Sequence, residues 1–161
     1  MFTLDVPVGM VPMLSSHTVA ETTDQEPVLF LDQNLEWEIR DTLHIYGTPI
    51  TQGVMKQLTD LRLNRGRTIS NLEGLQYATN LQTLIANGGL GNDIRDISPL
   101  AHLTKLDFLN LTGNEHLSDV RALATMTGLK IVRASECAIQ QVPDLSALKQ
   151  LEILSMIRNQ I

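Results

Sequence analysis

The sequence is poor in cysteine and in aromatic side chains. One cysteine in 161 residues excludes an intrachain disulfide and a four-cysteine zinc site. Phenylalanine, tryptophan and tyrosine together make up 4% of the chain, so the core must be built from Leu, Ile, Val and Met. A content of 43% hydrophobic and 19% charged residues is typical of a globular chain of one domain.

Basic residues and long apolar runs are also scarce. Twelve lysines and arginines face eighteen aspartates and glutamates, which gives a net charge of −6. Binding to a phosphate backbone needs a basic face, so we expect no nucleic-acid partner. No run of about 20 apolar residues occurs, which predicts no membrane span in this chain.

The N-terminal segment, residues 1–27, has two interpretations. The apolar stretch "VPVGMVPML" and the small residues "TVA" before Glu21 resemble parts of a signal peptide. However, no Lys or Arg precedes them, Asp5 lies directly before the apolar stretch, and two prolines interrupt it. Residues 1–27 are therefore either a disordered leader or the remnant of a signal peptide.

Leucines recur after this leader at a nearly constant interval. Successive segments start at Leu58, Leu81, Leu106, Leu129 and Leu151. This interval falls within the period of about 20 to 29 residues that is typical of leucine-rich repeats. The pattern therefore indicates such repeats over residues 58–161, the last one incomplete. No coil can bury its leucines alone, but stacked coils bury them against one another.

Within one coil, the pattern predicts a short strand followed by tight turns. In the coil that starts at Leu106, Leu109 and Leu111 point inward, while Phe108, Asn110 and Thr112 face outward. The later apolar residues recur at every third position, which suits 3₁₀ turns on the convex side: Leu117, Val120, Leu123 and Met126.

A column of small or amide residues follows the strands. A buried asparagine there can bond backbone groups of its own and of the neighbouring coil. The equivalent positions are predicted to be Gly66, Gly89, Asn114, Cys137 and Asn159. Cys137 is therefore interpreted as a small buried residue of this column, not as a nucleophile or metal ligand.

Residues 28–57 are predicted to form a helical cap over the first coil. Leu35, Ile39 and Leu43 recur at helical spacing, and Asp32 precedes them as a candidate N-cap. Thr51 is a candidate cap of a second short helix. Such a cap covers leucines that an open solenoid end would expose.

Over about residues 30–161, the chain resembles internalin-like bacterial leucine-rich-repeat proteins, in the segments "LDQNLEWEIRDTL", "PITQGVMKQLTDLRL" and "IRDISPLAHLTKLDFLNLTGN". The resemblance implies an α/β solenoid: a right-handed superhelix with short parallel strands on its concave face, an irregular or 3₁₀ convex side and an N-terminal helical cap. It also implies a non-catalytic module of a bacterial surface or secreted protein, which binds a protein ligand on the concave face.

Two alternatives stay open. The segment "ISPLAHLTKL" is also typical of intracellular, cytoplasmic scaffolding proteins of the phosphatase-regulating group. The chain could instead be the recognition arm of an enzyme whose catalytic domain lies beyond residue 161.

The sequence predicts no catalytic, cofactor or metal site. His17, His44, His102 and His116 show no metal-ligand spacing, and no cysteine or carboxylate completes a set. The aspartates at 93, 96 and 119 lack the alternation of a calcium loop, and we interpret them as turn caps.

Binding is predicted on the outward positions of the strands. The candidate ligand-binding residues are Ile85, Phe108, Asn110, Ile131, Arg133, Ile153 and Ile157, with Arg62 at the edge. Contiguous exposed apolar residues with an arginine rim favour a protein contact. The alternative is that these residues are only good strand formers. The sequence stops inside a coil at Ile161, which predicts a partly uncovered last coil and self-association through it.

Overall fold

The computed structural model describes residues 23–63 and 66–161, and most of the predicted leader lies outside this part of the chain. The described residues include two helices, a sheet of five strands and several 3₁₀ turns. Their boundaries agree with a cap followed by repeats, while the division of the chain at positions 27 and 57 stays a prediction.

The two helices lie ahead of the sheet. Helix α1 spans Gln33–Leu43 and α2 spans Gln52–Met55. Asp32 accepts hydrogen bonds from the first turn of α1, and the Thr51 hydroxyl accepts one from Val54 N, so both predicted caps are present. Neither helix, nor any other helix in the described residues, is long and apolar enough to cross a membrane.

One parallel sheet runs through the coils in chain order. Its strands are β1 (Asp60–Arg62), β2 (Thr83–Ile85), β3 (Phe108–Asn110), β4 (Ile131–Arg133) and β5 (Ile153–Ser155). The central residues pair in one row: Leu61, Leu84, Leu109, Val132 and Leu154. The first four are fully buried, which confirms the predicted inward position.

The convex side turns through 3₁₀ segments, as the spacing of its apolar residues predicts. These segments are Leu75–Tyr77, Gly88–Leu90, Ser98–Leu100 and Arg121–Thr125. Leu117, Val120, Leu123 and Met126 are all buried. One apolar cluster extends from Leu35 in α1 to Leu148, so the coils and the cap share a single core.

Buried asparagines connect neighbouring coils after the strands. Asn114 Oδ1 accepts from Ile94 N, and its Nδ2 donates to the carbonyls of Ala86 and Leu111. Asn159 makes the equivalent three bonds two coils further along, to Ile139 N, Ala134 O and Met156 O. Cys137 occupies the position between them and is buried, as predicted. Its thiol donates to Leu111 O.

The prediction for the second coil is wrong, because Asn92 rather than Gly89 takes the asparagine position. Asn92 Oδ1 accepts from Ile69 N, and Nδ2 donates to the carbonyls of Leu63 and Asn87. The inserted residues form a 3₁₀ turn at Gly88–Leu90 and displace the asparagine along the chain. A Cβ on Gly88 would overlap the carbonyl of Gly113, so the wider turn depends on glycine there.

Candidate protein-binding face

Apolar side chains are clustered among the outward positions of the strands. We define the concave patch as Ile85, Phe108, Ile131, Ile153 and Ile157. Phe108 pairs in register with Ile131, and Ile131 with Ile153, so these three side chains are neighbours on adjacent strands about 5 Å apart. Ile85, Phe108 and Ile131 are half-buried, whereas Ile153 and Ile157 are 44% and 69% exposed.

The position of each patch residue follows from its strand. Strand pairing forms two outward columns, each with one residue from every strand. The first contains Asp60, Thr83, Phe108, Ile131 and Ile153. The second contains Arg62, Ile85, Asn110, Arg133 and Ser155. Both columns agree with the predicted register. Ile157, the remaining apolar candidate, follows the end of β5.

Two arginines lie on this face, in the same column. The guanidinium of Arg133 lies over the Phe108 ring, 5.7 Å from its centroid, within the range of a cation–π contact. Both arginine side chains are exposed. Within the described residues, neither Arg62 nor Arg133 forms an ion pair, although the chain carries eighteen acidic side chains.

Polar groups at the edge of the patch bond mainly to the protein itself. Asn110 Oδ1 accepts from Thr112 N at 3.1 Å, which fixes the amide beside its own backbone. The Ser135 and Ser155 hydroxyls lie 3.0 Å apart, and Ser135 Oγ also accepts from Ile157 N. This last bond holds the backbone of Ile157 beside the sheet while its side chain projects into solvent.

A hollow beside the cap extends the concave face, and no sequence pattern indicates it. Its lining consists of Asp41, Thr42 and His44 from the end of α1 and of Asp60 and Arg62 from β1, around a volume of about 260 Å³. The helix and the strand meet there only through tertiary packing, so neither leucine spacing nor a motif could have predicted the hollow.

The acidic residues considered as turn caps divide into two groups. Asp96 and Asp119 accept from the backbone N–H groups of Ser98 and Arg121, as predicted. Asp93 instead binds two side chains, with Arg95 Nη2 and His116 Nδ1 both at 2.7 Å. Hydrogen bonds from these two residues hold the pKa of the Asp93 carboxyl below its ordinary value.

The remaining chemistry-bearing groups do not gather into a site. Burial raises the pKa of the Cys137 thiol, which disfavours the reactive thiolate. Within residues 23–63 and 66–161, no three His, Cys, Asp or Glu side chains lie where they could hold a metal ion. The concave patch therefore remains the candidate binding surface among the described residues.

Comparisons with known proteins agree with this architecture. The family described as Leucine Rich repeats (2 copies) matches residues 79–125. The crystal structure of an internalin (inlF) from Listeria monocytogenes is similar at 31% identity and a TM-score of 0.65, over 76% of this chain and 35% of that one. An internalin C2 (inlC2) from Listeria monocytogenes shares the fold at 22% identity and a TM-score of 0.56, over 84% of this chain and 70% of that one.

No curated protein sequence shows a significant match. The chain spans about a third of the length of the internalin inlF structure.

Proposed function

We propose that this chain, an internalin-like leucine-rich-repeat protein, is a non-catalytic protein-binding module whose ligand contacts the concave patch. The observation that carries the proposal is the register of the patch. Phe108, Ile131 and Ile153 share one outward column on neighbouring strands, so their side chains form one surface rather than scattered apolar spots. Contiguous apolar surface of this kind is typical of protein contacts.

Strand preference alone does not account for the patch. β-branched residues favour strands, which is a sufficient reason for Ile131 and Ile153. Ile157, however, lies beyond the end of β5 and is 69% exposed, so its apolar character serves neither the strand nor the core. Phe108 is one of only three phenylalanines, and aromatic residues are enriched at the centres of interfaces.

The patch can be tested through a double variant, Phe108→Thr with Ile131→Thr. Threonine keeps the strand preference but removes the apolar contact, so the sheet should persist while binding falls. We expect affinity for a protein ligand to fall at least about 30-fold, equivalent to about 2 kcal/mol at an interface hot spot. Proteins captured by the wild-type chain and by the double variant are compared by quantitative mass spectrometry. The purified ligand is then titrated against both.

Val142→Thr is the matched control, because Val142 is exposed but lies outside the concave patch. Thermal unfolding followed by circular dichroism checks that all variants remain folded. A ligand that binds wild type and the double variant equally would exclude the concave patch as its site.

We further propose that the whole protein acts at a bacterial surface or is secreted. The support is the similarity to an internalin over 76% of this chain. An intracellular scaffold and the recognition arm of a larger enzyme remain the competing proposals. Expression of the full reading frame with a C-terminal tag, followed by N-terminal sequencing of the exported and retained fractions, distinguishes a cleaved surface protein from an intracellular one.

We also propose self-association through the last coil. Leu154 is 42% exposed, although its equivalents in β1 to β4 are fully buried. Met156 and Leu151 are only partly buried, and Ile161 is 67% exposed. Apolar surface of this kind favours a covering partner, and a second copy of the chain offers the same surface.

A further inference from the structure

We infer that Arg133 is the charge-selective anchor of the concave patch, and that the ligand is a protein segment with a carboxylate side chain next to apolar ones. This inference rests on the proposed function and adds the chemistry of the partner. It commits to an acidic segment rather than to a basic or neutral one.

Arg133 has no carboxylate partner within residues 23–63 and 66–161, in a chain rich in possible partners. Four other arginines of the described residues are paired with carboxylates of their own chain: Arg40 with Glu36, Arg95 with Asp93, Arg121 with Asp119 and Arg158 with Glu136. Arg67 instead lies over the Trp37 ring beside the cap, away from the concave patch. The specific contact of the Arg133 side chain is instead the Phe108 ring. Its guanidinium N–H groups are therefore available to a ligand.

The Arg133 guanidinium makes a cation–π contact with the Phe108 ring. A guanidinium is planar, and its N–H groups match the two oxygens of a carboxylate. The guanidinium carbon of Arg133 lies 5.7 Å from the ring centroid, and this attraction favours side-chain positions over the patch while the N–H groups stay open to a ligand. A side chain held in this way loses less conformational entropy when it binds.

Arg133 lies next to apolar side chains of the concave patch. Ile131 lies two residues before it on β4, and Phe108 and Ile153 occupy the diagonal outward positions on the neighbouring strands, while Asn110 and Ser155 pair directly with Arg133. When a ligand covers these apolar side chains it excludes water, and a charge-assisted hydrogen bond then strengthens. The ligand that gains most has apolar side chains for the patch and a carboxylate for Arg133.

Arg62 provides a natural contrast in the same column, three strands away. It is exposed and forms no ion pair with the described carboxylates, like Arg133, but it lines the hollow that also contains Asp41 and Asp60. Those carboxylates oppose an incoming anion, so we expect Arg62 to contribute little selectivity. A phosphate ligand is disfavoured as well, because phosphate sites combine several cationic or N–H donors.

The probe is a random linear peptide library displayed on phage and selected against the whole chain. Selections use wild type, Arg133→Glu, the matched control Arg62→Glu and the double variant Phe108→Thr with Ile131→Thr. For wild type and Arg62→Glu we expect peptides rich in Asp or Glu next to apolar residues. For Arg133→Glu we expect the acidic preference to be replaced by Lys and Arg.

Titration of one selected acidic peptide by fluorescence anisotropy makes the test quantitative. We expect Arg133→Gln to weaken binding about tenfold and Arg62→Gln to change it less than about twofold. Arg133→Lys keeps the charge but loses the planar fork, so an intermediate loss is expected.

The outcomes separate this inference from the proposed function. Peptides that require Phe108 and Ile131 but show no acidic preference, or equal effects at Arg62 and Arg133, overturn the carboxylate anchor and leave the binding face intact. If no peptide depends on the patch, both proposals fail.

Discussion

At the scale of single residues, removal of a buried asparagine should lower the free energy of unfolding substantially. Asn114 is fully buried, and it satisfies one N–H and two carbonyl groups of two coils. Asn114→Ala leaves these backbone groups without a partner and away from water. We expect the free energy of unfolding to fall by about 3 kcal/mol, measured by urea denaturation.

Asn159 is the internal control, because it makes the same three bonds in a coil that is only partly buried. Water can replace the lost amide there, so Asn159→Ala should cost about 1 kcal/mol. Equal losses at both positions would show that burial does not determine what the loss of these bonds costs.

The asparagine column also marks the limit of sequence reasoning for individual residues. Asn114, Cys137 and Asn159 follow their strands at a constant distance, so their positions could be predicted from the leucine register alone. Asn92 could not, because an insertion lengthens the turn and only the folded backbone decides which of several polar residues enters the core. Cys137 is consistent with the same constraint, since a thiol can still donate to Leu111 O.

At the scale of elements, Asp32 connects the cap to the repeats. One carboxylate oxygen accepts from Asn34 N and Leu35 N at the start of α1. The other accepts from Ser70 N and Asn71 N in the first coil, at 2.8 and 3.3 Å. Asp32→Ala removes the helix cap and this connection together, and we expect a loss of about 2 to 3 kcal/mol in the free energy of unfolding.

Native-state hydrogen exchange can locate this loss. The amides of α1 and β1 should gain exchange while those of β3 and β4 keep their protection, since repeats are coupled mainly to their neighbours. Thr51→Ala removes only the cap of α2, a single bond from Val54 N, and should cost about 1 kcal/mol. If Asp32→Ala were as stable as Thr51→Ala, the connection to the first coil would contribute nothing to the free energy of unfolding.

The elements themselves were largely predictable, because each depends on local spacing. Helix α1 buries Leu35 and Ile39, which lie one helical turn apart, and the strands lie where inward and outward residues alternate. The hollow between α1 and β1 was not predictable, since it depends on how the helix lies against the sheet. The ligand chemistry at Arg133 also needed the structure, because leucine spacing does not tell which arginines lack an ion pair or which of them lies beside the concave patch.

At the scale of the whole molecule, a stacked solenoid is stable because each coil covers the leucines of the next. The nearly constant interval between the leucine segments therefore determined the order and register of all five strands. The two ends of the stack differ in how completely their strand leucines are covered. The cap buries Leu61 in β1 completely, whereas Leu154 in β5 is 42% exposed, and the outer edge of β5 has no neighbouring strand within the described residues.

This difference predicts that the chain associates with itself through the β5 side. An unpaired strand edge next to exposed Leu154 and Ile157 can pair with the same edge of a second copy, which buries both apolar surfaces. In sedimentation velocity, we expect the weight-average sedimentation coefficient of wild type to rise with concentration. Leu154→Lys should abolish the rise, because a lysine at the edge disfavours strand pairing.

Val142→Lys is the matched control, because Val142 is 40% exposed, close to the 42% of Leu154, and lies away from the β5 edge. This variant adds the same charge and should sediment like wild type. Circular dichroism checks that both variants retain the fold, since the lysine stem can stay against the surface while its charge reaches water. Concentration-independent sedimentation of wild type, or the same loss in both variants, would contradict association through β5. A second leucine-rich coil is the natural complement of this side, because every interior coil already packs against one.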